Sequence, residues 1–216
     1  MVSEPAMVKV WIRIFLAGAL ALALTRAAAA EPLSGVGFGD SLMAGYQLGP
    51  GEAFPEKLEA ALKAEGFDVT IANAGVSGDT TTGGLARLDW SVPDGTDFVI
   101  LELGANDALR GISPEITRDN LDTMISRLEE RGIDVILAGI LSPPNMGDGY
   151  AAQFNPIFPE LAEKHGVPLY GFFLDGAITR GDLMLSDGMH PNAAGVDEMV
   201  GKFLPVMREY LSSRAD

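Results

Sequence analysis

In the stretch GFGDSLMAGY, residues 37–46, Ser41 follows Gly39 and Asp40 where an apolar run ends. A serine hydroxyl alone is a weak nucleophile and needs a base, itself oriented by a third group. The chain offers two histidines. His165 stands in EKHG, in the last turn of a helical pattern before a glycine, where a histidine ordinarily serves the helix terminus. His190 stands in the Gly- and Pro-punctuated DGMHP, with Asp187 three residues before it, so one turn brings a carboxylate to the ring. Asp-x-x-His by itself is also the spacing of an ordinary surface histidine. Joined to Ser41 on one sheet edge, it is the one way this chain can build a Ser–His–Asp unit. Acyl transfer also needs donors aimed at a developing oxyanion. The backbone N–H of Ser41, the N–H of Gly78 in NAGVSGD (73–79) and the side-chain amide of Asn106 in GAND (104–107) are candidates. An ordinary turn at Gly78 and an Asx cap at Asn106 are the competing readings. Asp40, Asp79 and Asp107 read as caps and loop braces. With no cysteine, thiol catalysis and thiolate metal sites are excluded.

These groups act together only if the fold brings them to one place. SGVGF (34–38), DVTIAN (68–73), DFVILEL (97–103), DVILAGIL (134–141) and PLYGFF (168–173) read as strands. The third and fourth are almost continuously apolar, as strands covered on both faces must be. Helical patterns lie between them, over 54–66, over 113–132 with Ser113 as N-cap and Pro114 in the first turn, as two helices over 150–166, and over 191–211. Alternating strands and helices with short connections predict an α/β fold, a five-stranded parallel sheet wound on both sides in flavodoxin-like order. Ligands of such sheets sit beyond the carboxyl ends of the strands. There lie GDS, NAGVSGD and GAND, and DGMH follows the fifth strand.

At 216 residues and 47% hydrophobic composition, the chain can bury one substantial core, and a single domain over 31–216 is expected. Before it, Lys9 and Arg13 precede the run IFLAGALALAL (14–24), which ends in TRAAAA ahead of Glu31. A charged start, a short apolar stretch and an Ala-x-Ala exit at Ala28 and Ala30 make residues 1–30 a signal peptide. Spanning a bilayer takes roughly twenty apolar residues, so no stable membrane anchor is expected after cleavage, and the product is expected in the periplasm or secreted. The formal charge is −15, and losing Lys9, Arg13, Arg26 and Glu4 makes it −17. Such a surface repels nucleic acid and anionic membranes. A monomer with no nucleic-acid partner is expected.

A nucleotide-binding reading and an α/β-hydrolase reading both fail on spacing. Gly35, Gly37 and Gly39 suggest G-x-G-x-x-G, but Asp40 or Leu42 falls at the third glycine. The elbow G-x-S-x-G is missed by both GVSGD and GDSLM. A flavodoxin-like binding module using Asp40 toward phosphate is the non-enzyme alternative, and PLYGFF gives it no lysine at the end of the fifth strand.

The four polar clusters resemble the four blocks of the SGNH hydrolase, or GDSL esterase, superfamily: GDS, a loop glycine, G-x-N-D and D-x-x-H-P, in order across residues 34–211. The resemblance implies a three-layer α/β/α sandwich and an esterase that works without cofactor or metal. It implies Ser41 as nucleophile, His190 as base and then acid, Asp187 as its orienter, and Ser41, Gly78 and Asn106 as the oxyanion hole. ANDALRGISP (105–114) and SPPNMG (142–147) further resemble the bacterial branch called acyl thioesterase, lysophospholipase or arylesterase, which implies Leu109 and Ile112 in an acyl-binding cleft. Ser142 departs from that branch ahead of the two prolines. The implied partner is a small ester or lipid-like substrate, with carbohydrate O-acetyl ester cleavage as the alternative. An acidic, exported enzyme is badly placed for polyanionic acyl-CoA, although acyl–oxygen and acyl–sulfur attack use the same site.

Overall fold

The computed structural model describes residues 32–214, and the expected leader lies outside them. Strand β1 (Leu33–Gly39) is followed by a one-turn helix α1 (Ser41–Ala44) and by α2 (Phe54–Ala64). Then come β2 (Val69–Gly75), α3 (Thr81–Ser91), β3 (Phe98–Glu102), α4 (Ala105–Leu109) and α5 (Pro114–Glu130). The chain closes with β4 (Asp134–Ala138), α6 (Asp148–Phe154), α7 (Ile157–His165), β5 (Leu169–Tyr170) and α8 (Ala193–Ser213). All strand pairs are parallel in the order β2-β1-β3-β4-β5, the doubly wound order expected from the sequence. Right-handed crossovers place α2 on one face and α3, α5 and α7 on the other, and the contacts of α2 with α8, α3 with α5 and α5 with α7 agree.

The apolar runs became the central strands for the reason that predicts them. All five residues of β3 are buried, while the edge strand β2 is exposed at alternate positions at its start. Phe54, Leu58 and Leu62 of α2, one helical turn apart, are fully buried. Phe54 meets Phe173 and Phe203 edge-on at centroid distances of 4.7 and 5.3 Å, joining α2 to α8 beneath the site. The three glycines of β1 lie within the strand. A Cβ at Gly35 would enter the Phe98 ring, at Gly37 it would meet Met43 and Pro55, and at Gly39 it would meet Glu102. They make room for packing within the strand.

Three expectations need correction. Helix α3 is absent from the sequence-based reading, because TTGGLARLDW carries two glycines and β-branched threonines; the Thr80 hydroxyl accepts from Gly83 N–H at 3.3 Å and caps it. Ser113 holds the N-cap position of α5 as expected, but its side chain makes no cap bond. Strand β5 stops at Tyr170, since Phe173 N–H turns back onto the Gly139 carbonyl at 2.8 Å. Among the described residues no helix is long and apolar enough to cross a membrane.

Candidate active site

The sequence ends β1 at Gly39 and begins a helix at Ser41, so the serine sits at the carboxyl edge of the sheet in the first turn of α1. Its own N–H has no acceptor within that helix. Asp40 caps the turn, its Oδ1 accepting from Leu42 N–H at 3.0 Å. His190 arrives from far along the chain, on a loop held by a bridge between Met184 and Pro191 and by Leu185 N–H donating to the His190 carbonyl at 2.7 Å.

There His190 Nε2 lies 2.9 Å from Ser41 Oγ, and Nδ1 lies 2.7 Å from Asp187 Oδ2. The two bonds fit one tautomer: Nδ1–H donates to the carboxylate and Nε2 accepts from the hydroxyl. Oδ1 of Asp187 accepts Met189 N–H at 2.9 Å and His190 N–H at 3.1 Å. The Met189 N–H, then the imidazole and the His190 N–H, lower the Asp187 carboxyl to about 2, so it stays ionised. His165 is elsewhere, in the last turn of α7, bridging Asp122 at 2.6 Å and Glu129 at 3.0 Å of α5.

Two loops face Ser41. Gly78, after β2, has φ 83°, a left-handed conformation suited to glycine, and among the described residues its N–H donates to no protein acceptor. The loop is braced twice. Arg110 donates to the Gly78 carbonyl at 2.7 Å, and Asp79 Oδ2 receives Arg87 Nε–H at 2.6 Å. That guanidinium also donates to the Ala74 carbonyl at 2.8 Å and the Gly39 carbonyl at 2.9 Å, and it lies 4.0 Å over the Phe38 ring. Asn106, in α4, is not a cap. Its Nδ2 donates to Asp40 Oδ2 at 2.9 Å, which holds one amide hydrogen and leaves the second. Asp107 is buried beneath, accepting from Thr81 N–H at 2.8 Å and from the Thr81 and Thr117 hydroxyls.

Sequence reasoning missed Glu102. It is fully buried at the end of β3, with Oε2 accepting Asp40 N–H at 3.2 Å and Oε1 without a partner among the described residues. Burial first, then the charge of Asp40, raises its carboxyl well above the usual range. Asp40 itself is raised to about 6 by burial, against the opposing bonds from Leu42 and Asn106. Inside the run LEL nothing distinguishes such a residue from a strand's exposed polar position.

The serine and histidine open into a pocket of about 920 Å³. Leu109 lines it, as do Ile140, Leu141, Ser142 and Phe172, and among the described residues no Asp, Glu, Lys or Arg does. Ile112 is not among the lining residues; past the turn at Gly111 its carbonyl accepts the Tyr150 hydroxyl at 2.8 Å. Ser142 is tied by its N–H to Asn155 Oδ1 at 2.8 Å. Among the described residues no group of three or more acidic or histidine side chains could hold a metal ion. The arrangement can attack a carbonyl with a base-activated hydroxyl and surround the developing oxyanion with N–H donors.

The chain is similar to known proteins in sequence and in fold. The GDSL-like lipase/acylhydrolase family matches residues 38–197. An arylesterase from Vibrio mimicus is 46% identical over 154 residues, 71% of this chain and 77% of that protein. The esterase TesA of Pseudomonas aeruginosa is 36% identical over 200 residues, 92% of this chain and 98% of that protein. Among solved structures, the SGNH-hydrolase family esterase AlinE4 superposes with a TM-score of 0.71 at 44% identity, covering 84% of this chain and 97% of that one.

Proposed function

The chain belongs to the GDSL-like lipase/acylhydrolase family and is a serine esterase of that type, a carboxylic ester hydrolase, and we propose that Ser41 is its nucleophile. In this reading His190 is the base and then the acid, Asp187 orients it, and the Ser41 N–H, the Gly78 N–H and the Asn106 amide form the oxyanion hole. The observation that carries it is the unbroken line from Asp187 Oδ2 through His190 to Ser41 Oγ, at 2.7 and 2.9 Å, ending at the pocket. Ser41 Oγ attacks the acyl carbonyl as its proton passes to Nε2, and the ionised Asp187 stabilises the imidazolium. The carbonyl oxygen gains charge where the donors point. Collapse passes the proton from Nε2 to the departing oxygen, and water, activated by the same nitrogen, frees the acid from the acyl-enzyme.

The pocket supports neutral, apolar acyl groups, with Leu109 in its wall, because a charged substrate would be desolvated there without a partner. The same surface does not favour an acetylated sugar, whose hydroxyls need polar neighbours. Thioesters fit the same attack. The leader supports export to the periplasm or beyond, with a mature chain starting near Glu31. The mass of the exported protein checks this: an intact Met1 or Met7 terminus on membrane-bound protein rejects it.

Ser41→Ala and His190→Ala are each expected to lower kcat by about 10³-fold or more, and the double variant little further, because members of one catalytic unit are non-additive. A fluorophosphonate should label Ser41 in the wild type. If His190→Ala kept more than about a tenth of kcat while His165→Ala did not, the base would be misassigned.

A further inference from the structure

Ser41 as nucleophile and His190 as acid fix a direction within the pocket, and the assignment of its two halves rests on that reading. In the tetrahedral intermediate the former carbonyl oxygen faces Gly78 and Asn106, while the oxygen that leaves must reach the proton on His190 Nε2. The alcohol half of the ester therefore lies against His190. The acyl half takes the space past Asn106, toward Leu109, Ile140 and Leu141 beyond β3 and β4.

What stands beside His190 is apolar. The Tyr46 ring lies 4.4 Å from the imidazole, centroid to centroid, tilted by 37°, and Met189 immediately precedes His190. Both line the pocket and keep 37% and 48% of their surfaces exposed. Each is held from behind. Tyr46 N–H donates to the Ser41 carbonyl at 3.1 Å, in a turn where Gly45 and Gln47 both take left-handed φ, 76° and 58°. A non-glycine residue sits at such φ only where its surroundings dictate it. Met189 N–H is fixed on Asp187. A ring and a thioether that both line the pocket beside His190 suit a flat aromatic group, by offset stacking on the ring and sulfur contact with the thioether. Among the described residues no lysine or arginine lines the pocket to receive an anionic headgroup.

We infer that Tyr46 and Met189 form the leaving-group face of the site and take a flat, uncharged aromatic alcohol, so that discrimination of aryl from alkyl esters is made there. The test compares two butyrate esters whose alcohols are similarly acidic, 4-chlorophenyl and hexafluoroisopropyl, by kcat/KM, which reports only steps in which the alcohol is still attached. Tyr46→Leu should lower the aryl-to-alkyl ratio about tenfold, the scale at which apolar pockets discriminate. Met189→Ala, at an exposed position that leaves the core intact, should lower it in the same direction, and Tyr46→Phe should restore it. Equal loss on both esters would mean that Tyr46 only supports the imidazole and would overturn the inference. So would a loss that grows with acyl length at constant alcohol, since the two halves would then be reversed. A Ser41→Ala protein that still cleaved both esters would instead reject the nucleophile, a result separate from either ratio.

Discussion

The side-chain amide of Asn106 has two hydrogens, and Asp40 Oδ2 occupies one at 2.9 Å. The carboxylate thereby fixes the amide plane and leaves the other hydrogen for a charge that exists only during reaction. Such a bond strengthens as the carbonyl oxygen becomes an oxyanion, so its loss falls on the transition state. Asn106→Ala is expected to lower kcat by about 10²- to 10³-fold with little change in KM. Steady-state kinetics beside urea midpoints check this, and near-normal kcat with a lowered midpoint would remove Asn106 from the oxyanion hole. Glu102, behind Asp40, gives a second prediction. Its carboxyl is raised by burial, so as pH climbs above the unfolded value near 4.3 the unfolded chain releases a proton that the folded chain keeps. Stability then falls with rising pH until the folded value is reached. Glu102→Gln lacks this loss, retains an oxygen to accept Asp40 N–H, and leaves the similar effect of Asp40 in both proteins. Its stability gain over wild type should widen between pH 5 and 7, by at most about 1.4 kcal/mol per pH unit. A gap that stays flat across that window would mean that Glu102 ionises in the folded protein as it does in the unfolded one.

At the scale of elements, three loop ends meet because few side chains tie them. Arg87 alone joins the end of β1 through the Gly39 carbonyl, the end of β2 through the Ala74 carbonyl, and the loop carrying Gly78 through Asp79. A planar guanidinium can serve these directions at once, which a lysine cannot. Gly75 brings the same ends together sterically, since a Cβ there would meet the backbone of Ala44. Much of this level is legible in the chain. The apolar runs mark the five strands and their order, and Gly- and Asp-rich breaks mark their carboxyl ends, because period and punctuation are local properties. Ser41, Asp187 and His190 are legible by type, since only one histidine lies on that edge. The features that stay hidden depend on distant partners. Helix α3 forms although its glycines disfavour it, because Gly84 packs on Leu103 and Phe38. Asp40 reads as a cap, which it is, but its hold on Asn106, 66 positions away, has no local signature.

Across the whole molecule the charge is strongly one-sided, −15, while among the described residues no Asp, Glu, Lys or Arg lines the pocket wall. The two facts separate approach from binding. A neutral ester meets no long-range field at all, whereas an anionic thioester is repelled well before it reaches the pocket mouth. The range of that repulsion is set by salt, with a screening length of about 30 Å at 0.01 M and about 8 Å at 0.15 M. Catalysis inside the pocket is protected from this, because buried interactions are screened much less. For an anionic acyl thioester, kcat/KM should therefore rise several-fold from about 0.01 to 0.15 M salt, mainly through KM, as the screening length shrinks. For a neutral nitrophenyl ester with the same acyl chain it should stay nearly constant. A local feature opposing this is Arg110, exposed beside Gly78 and committed to its carbonyl. If Arg110 instead captured the anion, the salt dependence would reverse, with the thioester favoured at low salt and losing rate on screening. An equal response of both substrates would show that salt acts on the enzyme itself and that net charge does not select between them.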